Sequence, residues 1–182
     1  EYYREKIELP FFRRYLKGDT NFVPIKAHVF ETGTHRWRKF DAWPPRQSVT
    51  KTLFFQAGGS LAFTPAVGGE TFDEFISDPA KPVPYSMEPS TDYPKAYPLH
   101  DQRFAASRPD VLVYETAPLD EDLTVAGPLR AVLHVSTTGT DADWVIKLID
   151  AYPGDFPDPN PNPTRVRLGG YQQLVRGDVF RG

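Results

Sequence analysis

The chain has 182 residues, with 21 Lys and Arg against 24 Asp and Glu for a formal net charge of −3, and an isoelectric point near 5.8. That length supports one ordinary domain with a small appendage. The mixed, slightly acidic charge leaves no basic stripe for nucleic acid or an anionic membrane. There is no cysteine, which excludes disulfides, Cys-ligated zinc and a thiolate nucleophile. No apolar run reaches the roughly 18 residues of a membrane span. The 19 prolines are roughly twice the average share of about 5%. With 14% aromatics, they favour short strands and frequent turns over long helices.

Taken in chain order, residues 2 to 17 carry the one helical pattern. Tyr3, Ile7, Phe11 and Tyr15 recur every four residues, Phe12 and Leu16 widen the face, and Gly18 supplies the stop. Pro10 has no N–H to give Lys6, so a kink or a fresh helix beginning near Pro10 is expected. Residues 26 to 32 read as a strand. Trp37 to Pro45 reads as a linker ending in two prolines that force an extended exit, which places a domain boundary between residues 45 and 46. Strand candidates then follow at 49–55, 60–64, 71–77, 110–116, 123–126, 129–137, 143–152 and 171–176, separated by Gly, Pro and Asp clusters. Many short strands without intervening helical periods predict an all-β sandwich. In the strand from Trp144 both alternations are apolar, which predicts packing on both faces. Lys147 and Asp150 interrupt it and must be paired or face water, because an unpaired charge in a sandwich is costly.

Two connections are long. Residues 78 to 109 hold seven prolines, and residues 153 to 164 hold five and read as an elaborated surface turn.

Candidate chemistry is sparse. Gly58-Gly59-Ser60-Leu61-Ala62 falls short of a nucleophile elbow: it ends in Ala, and Phe63-Thr64-Pro65 cannot start the required helix. A glycine turn between hairpin strands is the better reading. His28, His35, His100 and His134 are too scattered for a local metal pair. Adjacent residues in an extended segment point apart, so Asp101 is poorly placed to orient His100. Asp141 and Asp143, with Asp120, Glu121 and Asp122 elsewhere, give no calcium loop, and Asp141 reads as an Asx-type acceptor for backbone amides. No catalytic residue, metal ligand or cofactor is assigned. Tyr85, Met87, Tyr93 and Tyr97, with Phe104, offer flat apolar faces with polar tips. They read either as contacts to a small ligand or as anchors of the long loop.

Thr140-Asp141-Ala142-Asp143-Trp144-Val145-Ile146-Lys147-Leu148-Ile149-Asp150-Ala151-Tyr152-Pro153, Gly169-Gly170-Tyr171-Gln172 and the stretch Arg176 to Gly182 carry a family signature. Ile76 to Pro84, Ser107-Arg108-Pro109-Asp110-Val111-Leu112-Val113-Tyr114-Glu115-Thr116, Pro118-Leu119 and Val125 to Pro128 follow the same order and spacing. Together they resemble the carboxy-terminal β-domain of bacterial α-amino acid ester hydrolases and glutaryl acylases, which are grouped with cocaine esterase and the X-Pro dipeptidyl peptidases. Pro10-Phe11-Phe12, Tyr15 to Gly18, Val29 to Gly33 and Trp43-Pro44-Pro45 resemble the last helix and strand of that family's α/β-hydrolase domain, so the likeness spans essentially the whole chain.

The resemblance implies a mainly β fold: residues 46–182 as a jelly-roll β-domain ending before its last strands, and residues 1–45 as the tail of the hydrolase domain plus linker. It also implies a serine hydrolase whose Ser, His and Asp lie before Glu1, working by acyl transfer on a small-molecule ester or amide without a cofactor. The expected partners are the rest of the hydrolase and cap domains, with self-association into a homo-oligomer a further expectation and a periplasmic or secreted location suggested by kinship. The competing reading is a free-standing jelly-roll module binding carbohydrate or another small ligand.

Overall fold

The structure, a computed structural model, describes residues 1–69, 72–88, 91–92 and 95–182. It comprises two units: residues 1–51 with 121–130, and residues 52–120 with 131–182.

In the first unit the helical pattern divides in two. A π-helical turn over Arg4–Glu8 closes with Leu9 N–H on the Arg4 carbonyl, and an α-helix, α1, runs over Leu9–Lys17 with Pro10 in its first turn. Proline is accommodated there because first-turn N–H groups have no partner within the helix. Glu8 and Leu9 keep right-handed helical angles, so the chain does not leave the helix and restart near Pro10: the two turn types are continuous, with the wider π turn just before the proline that has no N–H to give. Gly18, at φ 70°, ends α1, its amide reaching the Arg13 and Arg14 carbonyls. The apolar face of α1 stays in water: Leu9, Phe11, Phe12 and Tyr15 are exposed and Leu16 is 72% accessible.

Strand β1, Ala27–Glu31, pairs antiparallel with β2, Arg36–Phe40. The linker expected from Trp37 is thus, as far as Phe40, a strand. Trp37 holds the hairpin to the amino terminus, with Tyr2 stacked on it at 5.1 Å and His28 edge-on at 5.2 Å. Burial, then the nearby Lys39 charge, pull the His28 pKa below its ordinary value.

The second unit is built on two further antiparallel pairs. Strand β3, Phe54–Gln56, and β4, Ser60–Ala62, form a tight hairpin whose turn contains Gly58 and Gly59 at φ 74° and 75°. Only glycine takes such angles without a Cβ penalty. Ser60 therefore opens a hairpin strand and does not sit on a strand-to-helix elbow. Of the 110–116 segment, Glu115 bridges Ser60. Strand β5, Asp143–Ala151, pairs with β6, Gln172–Arg181, in the longest ladder, with a register shift at Leu148/Ile149. β6 runs five residues past the expected strand end at 176.

The antiparallel, mainly β character is present, while several details differ from expectation. Among the described residues, 72–77, 123–126 and 129–137 join no ladder, and no closed barrel forms. A strand requires hydrogen-bonding partners, and β propensity alone supplies none. Nor is β5 packed on both faces, since Val145 is 65% accessible. Among the described residues Ala105 is the buried hydrophobic residue, and Gln102, 1% accessible, is the most deeply buried side chain.

Candidate functional site

The candidate site is the 78–109 loop and its seat on β5 and β6. Its two ends are fastened by one arginine. Arg108 grips Asp110 with two parallel bonds of 2.7 Å, and the same guanidinium donates to the Lys81 carbonyl at 2.9 Å. A planar fork matched to a carboxylate is the geometry arginine makes best. The Arg108 hydrogen bond in turn holds the Asp110 carboxyl below the usual aspartate range. This gives the Ser107-Arg108-Pro109-Asp110 motif a physical purpose that spacing alone did not disclose.

The middle of the loop forms a 3-10 turn at Tyr97–Leu99, with Pro98 in its first turn, and a short helix, α2, at Arg103–Ala106. Between them lie two polar hubs. The Gln102 backbone N–H donates to the Gln172 carbonyl at 3.0 Å, its side-chain amide donates to the His100 carbonyl at 2.8 Å, and its side-chain oxygen accepts from Lys147 Nζ at 2.8 Å. A buried amide with both ends satisfied ties the loop to β5 and β6 together. Asp101 accepts from the Arg103 backbone and side chain and from the Gln172 N–H. Burial alone would raise its pKa, but the Arg103 and Gln172 hydrogen bonds and the Arg103 charge outweigh it, and the net shift is downward. With its oxygens so engaged, Asp101 serves the backbone of its own turn, while His100 Nδ1 is buried without a partner among the described residues. Tyr171 donates its hydroxyl proton to the Leu99 carbonyl, adding a fastening from the start of β6.

Of the aromatic candidates, the structure brings Tyr85 and Tyr97 together as a near-parallel stack, centroids 4.1 Å apart at 17°. Lys147 Nζ lies 5.6 Å from the Tyr97 centroid and 5.5 Å from that of Phe104. Tyr85 and Met87 are exposed. Tyr93 lies outside the described residues.

Lys147, read as an anomaly in the strand, is thus paired, with an amide oxygen and two ring faces. Burial holds its pKa below the ordinary lysine value. Asp150 takes the other solution and faces water. Gln102 and Asp101 escaped sequence reasoning as anchors, because a single Gln or Asp in a proline-rich loop has no pattern to mark it. Asp141 corrects the Asx reading: its carboxylate pairs with Arg181 at 2.9 Å, and the same guanidinium reaches Asp143 at 3.0 Å.

The cluster around Tyr97 offers aromatic surface, amide groups and the Lys147 ammonium. Ser86, buried nearby in sequence, gives its hydroxyl proton to the Glu88 carbonyl. Among the described residues no three His, Asp or Glu side chains converge as a metal site would require.

Comparison with known proteins defines the class first. Residues 24–177 match the X-Pro dipeptidyl-peptidase C-terminal non-catalytic domain, and the chain belongs to that family. Among individual proteins, it is 34% identical over 155 residues to a cocaine esterase of Rhodococcus sp. (strain MB1 Bresler), covering 79% of this chain and 27% of the relative. A putative serine esterase of Mycobacterium bovis is 24% identical over 151 residues, 80% of this chain and 23% of its own length. Two solved structures superpose on the entire chain with a TM-score of 0.80: an aminopeptidase from a marine sediment Thaumarchaeota archaeon, at 38% identity, and an α-amino acid ester hydrolase, at 37%. The chain covers 29% and 30% of those proteins, so it spans less than a third of each of these relatives.

Proposed function

We propose that this chain is the non-catalytic β-domain region of a serine ester or amide hydrolase of the amino acid ester hydrolase and acylase type, with the 78–109 loop bordering the substrate cleft. The jelly-roll form of residues 46–182, and the assignment of residues 1–45 to the tail of an α/β-hydrolase domain, belong to the same proposal. Membership in a family of non-catalytic domains and the kinship with esterases and an aminopeptidase support it. The observation that carries it is the aromatic face of α1, left in water where a free-standing binding module would have to bury it. In this reading an upstream hydrolase core covers that face and supplies the serine, its base and the oxyanion donors, the groups acyl transfer requires. The β-domain contributes stiffness and one wall of the cleft.

A fluorophosphonate probe, which labels activated serines, tests the reading on the full-length polypeptide. Labelling is expected upstream of Glu1, with hydrolysis of p-nitrophenyl esters lost on labelling and untouched by Ser60→Ala. Residues 1–182 alone are expected to give no turnover. A labelled serine within these residues, or activity of this segment by itself, overturns the proposal.

A further inference from the structure

An ammonium near the centre of a β-strand is an expensive choice, and its surroundings show what it accomplishes. Lys147 stands in β5 opposite Gly177 of β6. Its neighbours are the Gln102 side-chain oxygen and the rings of Tyr97 and Phe104. Among the described residues no carboxylate pairs with it, and burial holds its pKa below the ordinary lysine value. A residue serving only to fill space there would be apolar, since burying a charge costs several kcal/mol when no partner repays it. Ammonium instead supplies direction: one proton points at an amide oxygen, and the charge is drawn to ring faces, whose quadrupoles are negative. The ring so held is one leaf of the Tyr85–Tyr97 stack, and Tyr85 is 48% accessible.

We propose that Lys147 is a positioning residue for selectivity. From β5 it fixes the Tyr97 ring, and through it the Tyr85 stack, in the orientation that the loop presents to bulky, flat acyl groups. This rests on the reading of the loop as a wall of the cleft. Orientation of a preformed aromatic wall matters for a large acyl group that lies against it, and not for an acetyl group too small to reach it.

The experiment uses the full-length polypeptide with p-nitrophenyl benzoate and p-nitrophenyl acetate. Lys147→Met keeps the apolar stem and removes the charge. It is expected to lower the benzoate-to-acetate ratio of kcat/KM by about three- to tenfold, the range a partly desolvated cation–π contact commands, through a higher KM for the benzoate. Lys147→Arg, which keeps the cation and a donor, is expected to hold the ratio near wild type. Tyr97→Ala tests the underlying reading by removing the wall itself. If Tyr97→Ala shifts the ratio and Lys147→Met leaves it unchanged, the positioning role is overturned and the cleft reading stands. If neither variant shifts it, both are overturned. Should Lys147→Met fail to fold, Lys147→Gln carries the test: a shifted ratio supports the role of the charge, and a wild-type ratio refutes it.

Discussion

The Gln102 hub can be tested by a double-mutant cycle with Lys147. Gln102→Leu conserves volume and deletes two side-chain bonds, one neutral bond to the His100 carbonyl and one charge-assisted bond from Lys147, both 2.8 Å long. A neutral bond contributes about 1 kcal/mol and a charged one about 1.5–3 kcal/mol. The Lys147 ammonium is only half buried and recovers part of its hydration once freed, so the charged bond belongs at the low end of that range. The loop should therefore lose about 2.5 kcal/mol of docking free energy, an increase of about seventyfold in the population of its opened form.

Native-state hydrogen exchange read by mass spectrometry reports that opening locally, which matters because a multidomain protein has no single unfolding free energy. Peptides spanning residues 97–108 and 168–176 should exchange faster by that factor, since the Gln102 amide is bonded to the Gln172 carbonyl. Peptides from β1 and β2 should be unaffected. Lys147→Met leaves the buried Gln102 oxygen unsatisfied and should cost about 1.5–2 kcal/mol. The double mutant should then lose less than the sum by about 1.5 kcal/mol, because the shared bond can be lost only once. Strictly additive effects, or acceleration below threefold in the loop peptides, would refute the hub.

Asp101, whose carboxyl is depressed in the folded state, stabilises the loop fully above the ordinary aspartate value of 3.8 and loses that contribution as pH falls through its lower folded value. Exchange protection of residues 101–106 should therefore survive to about pH 4 and collapse below it, and Asp101→Asn should remove that acid step. The Tyr114 phenol, pushed up to about 12 by burial and then by its 2.6 Å hydrogen bond to Asp73, has the opposite sign. Its stabilising contribution is complete below the ordinary value of 10.0 and is lost as pH rises toward about 12. Burial raises Tyr152 and Tyr171 as well, so phenolate absorbance should show several late-titrating tyrosines, of which the Tyr114 step should move to lower pH in Asp73→Asn. At Gly169, a Cβ would lie 2.5 Å from the Gly154 carbonyl oxygen, a backbone atom that cannot swing away. Gly169→Ala should destabilise by about 1–3 kcal/mol, while Gly33→Ala, with nothing within 4 Å of the added methyl, should leave the melting temperature almost unchanged.

What could be read from the sequence divides along a physical line. Features decided by a few adjacent residues were legible: the disturbance of the helix just before Pro10, its stop at Gly18, and the glycine turn before Ser60 each follow from what one residue's backbone can or cannot do. Features decided by a distant partner were not. Arg36-Trp37-Arg38-Lys39-Phe40 has no alternating pattern and becomes a strand because β1 offers it a ladder. Residues 177–181 lie beyond the strand expected to end at 176, yet they pair with Asp143–Lys147 one by one. Conversely, Ala131-Val132-Leu133-His134-Val135 has strong β propensity and joins no ladder, its valines left in water.

The candidate site shows the same division within a single contact. Lys147 could be recognised as a problem, because a charge in an apolar strand breaks a pattern that everything around it obeys. Gln102 could not be recognised as part of the solution. It lies 45 residues away in a loop, and glutamine in a loop breaks no pattern. The free energy of burying a charge makes the first residue conspicuous wherever it occurs, whereas the amide that repays part of that cost is defined only by where the folded chain carries it. Anomalous residues are therefore where a sequence advertises its site, and their partners must be sought among the residues that reasoning from pattern passes over.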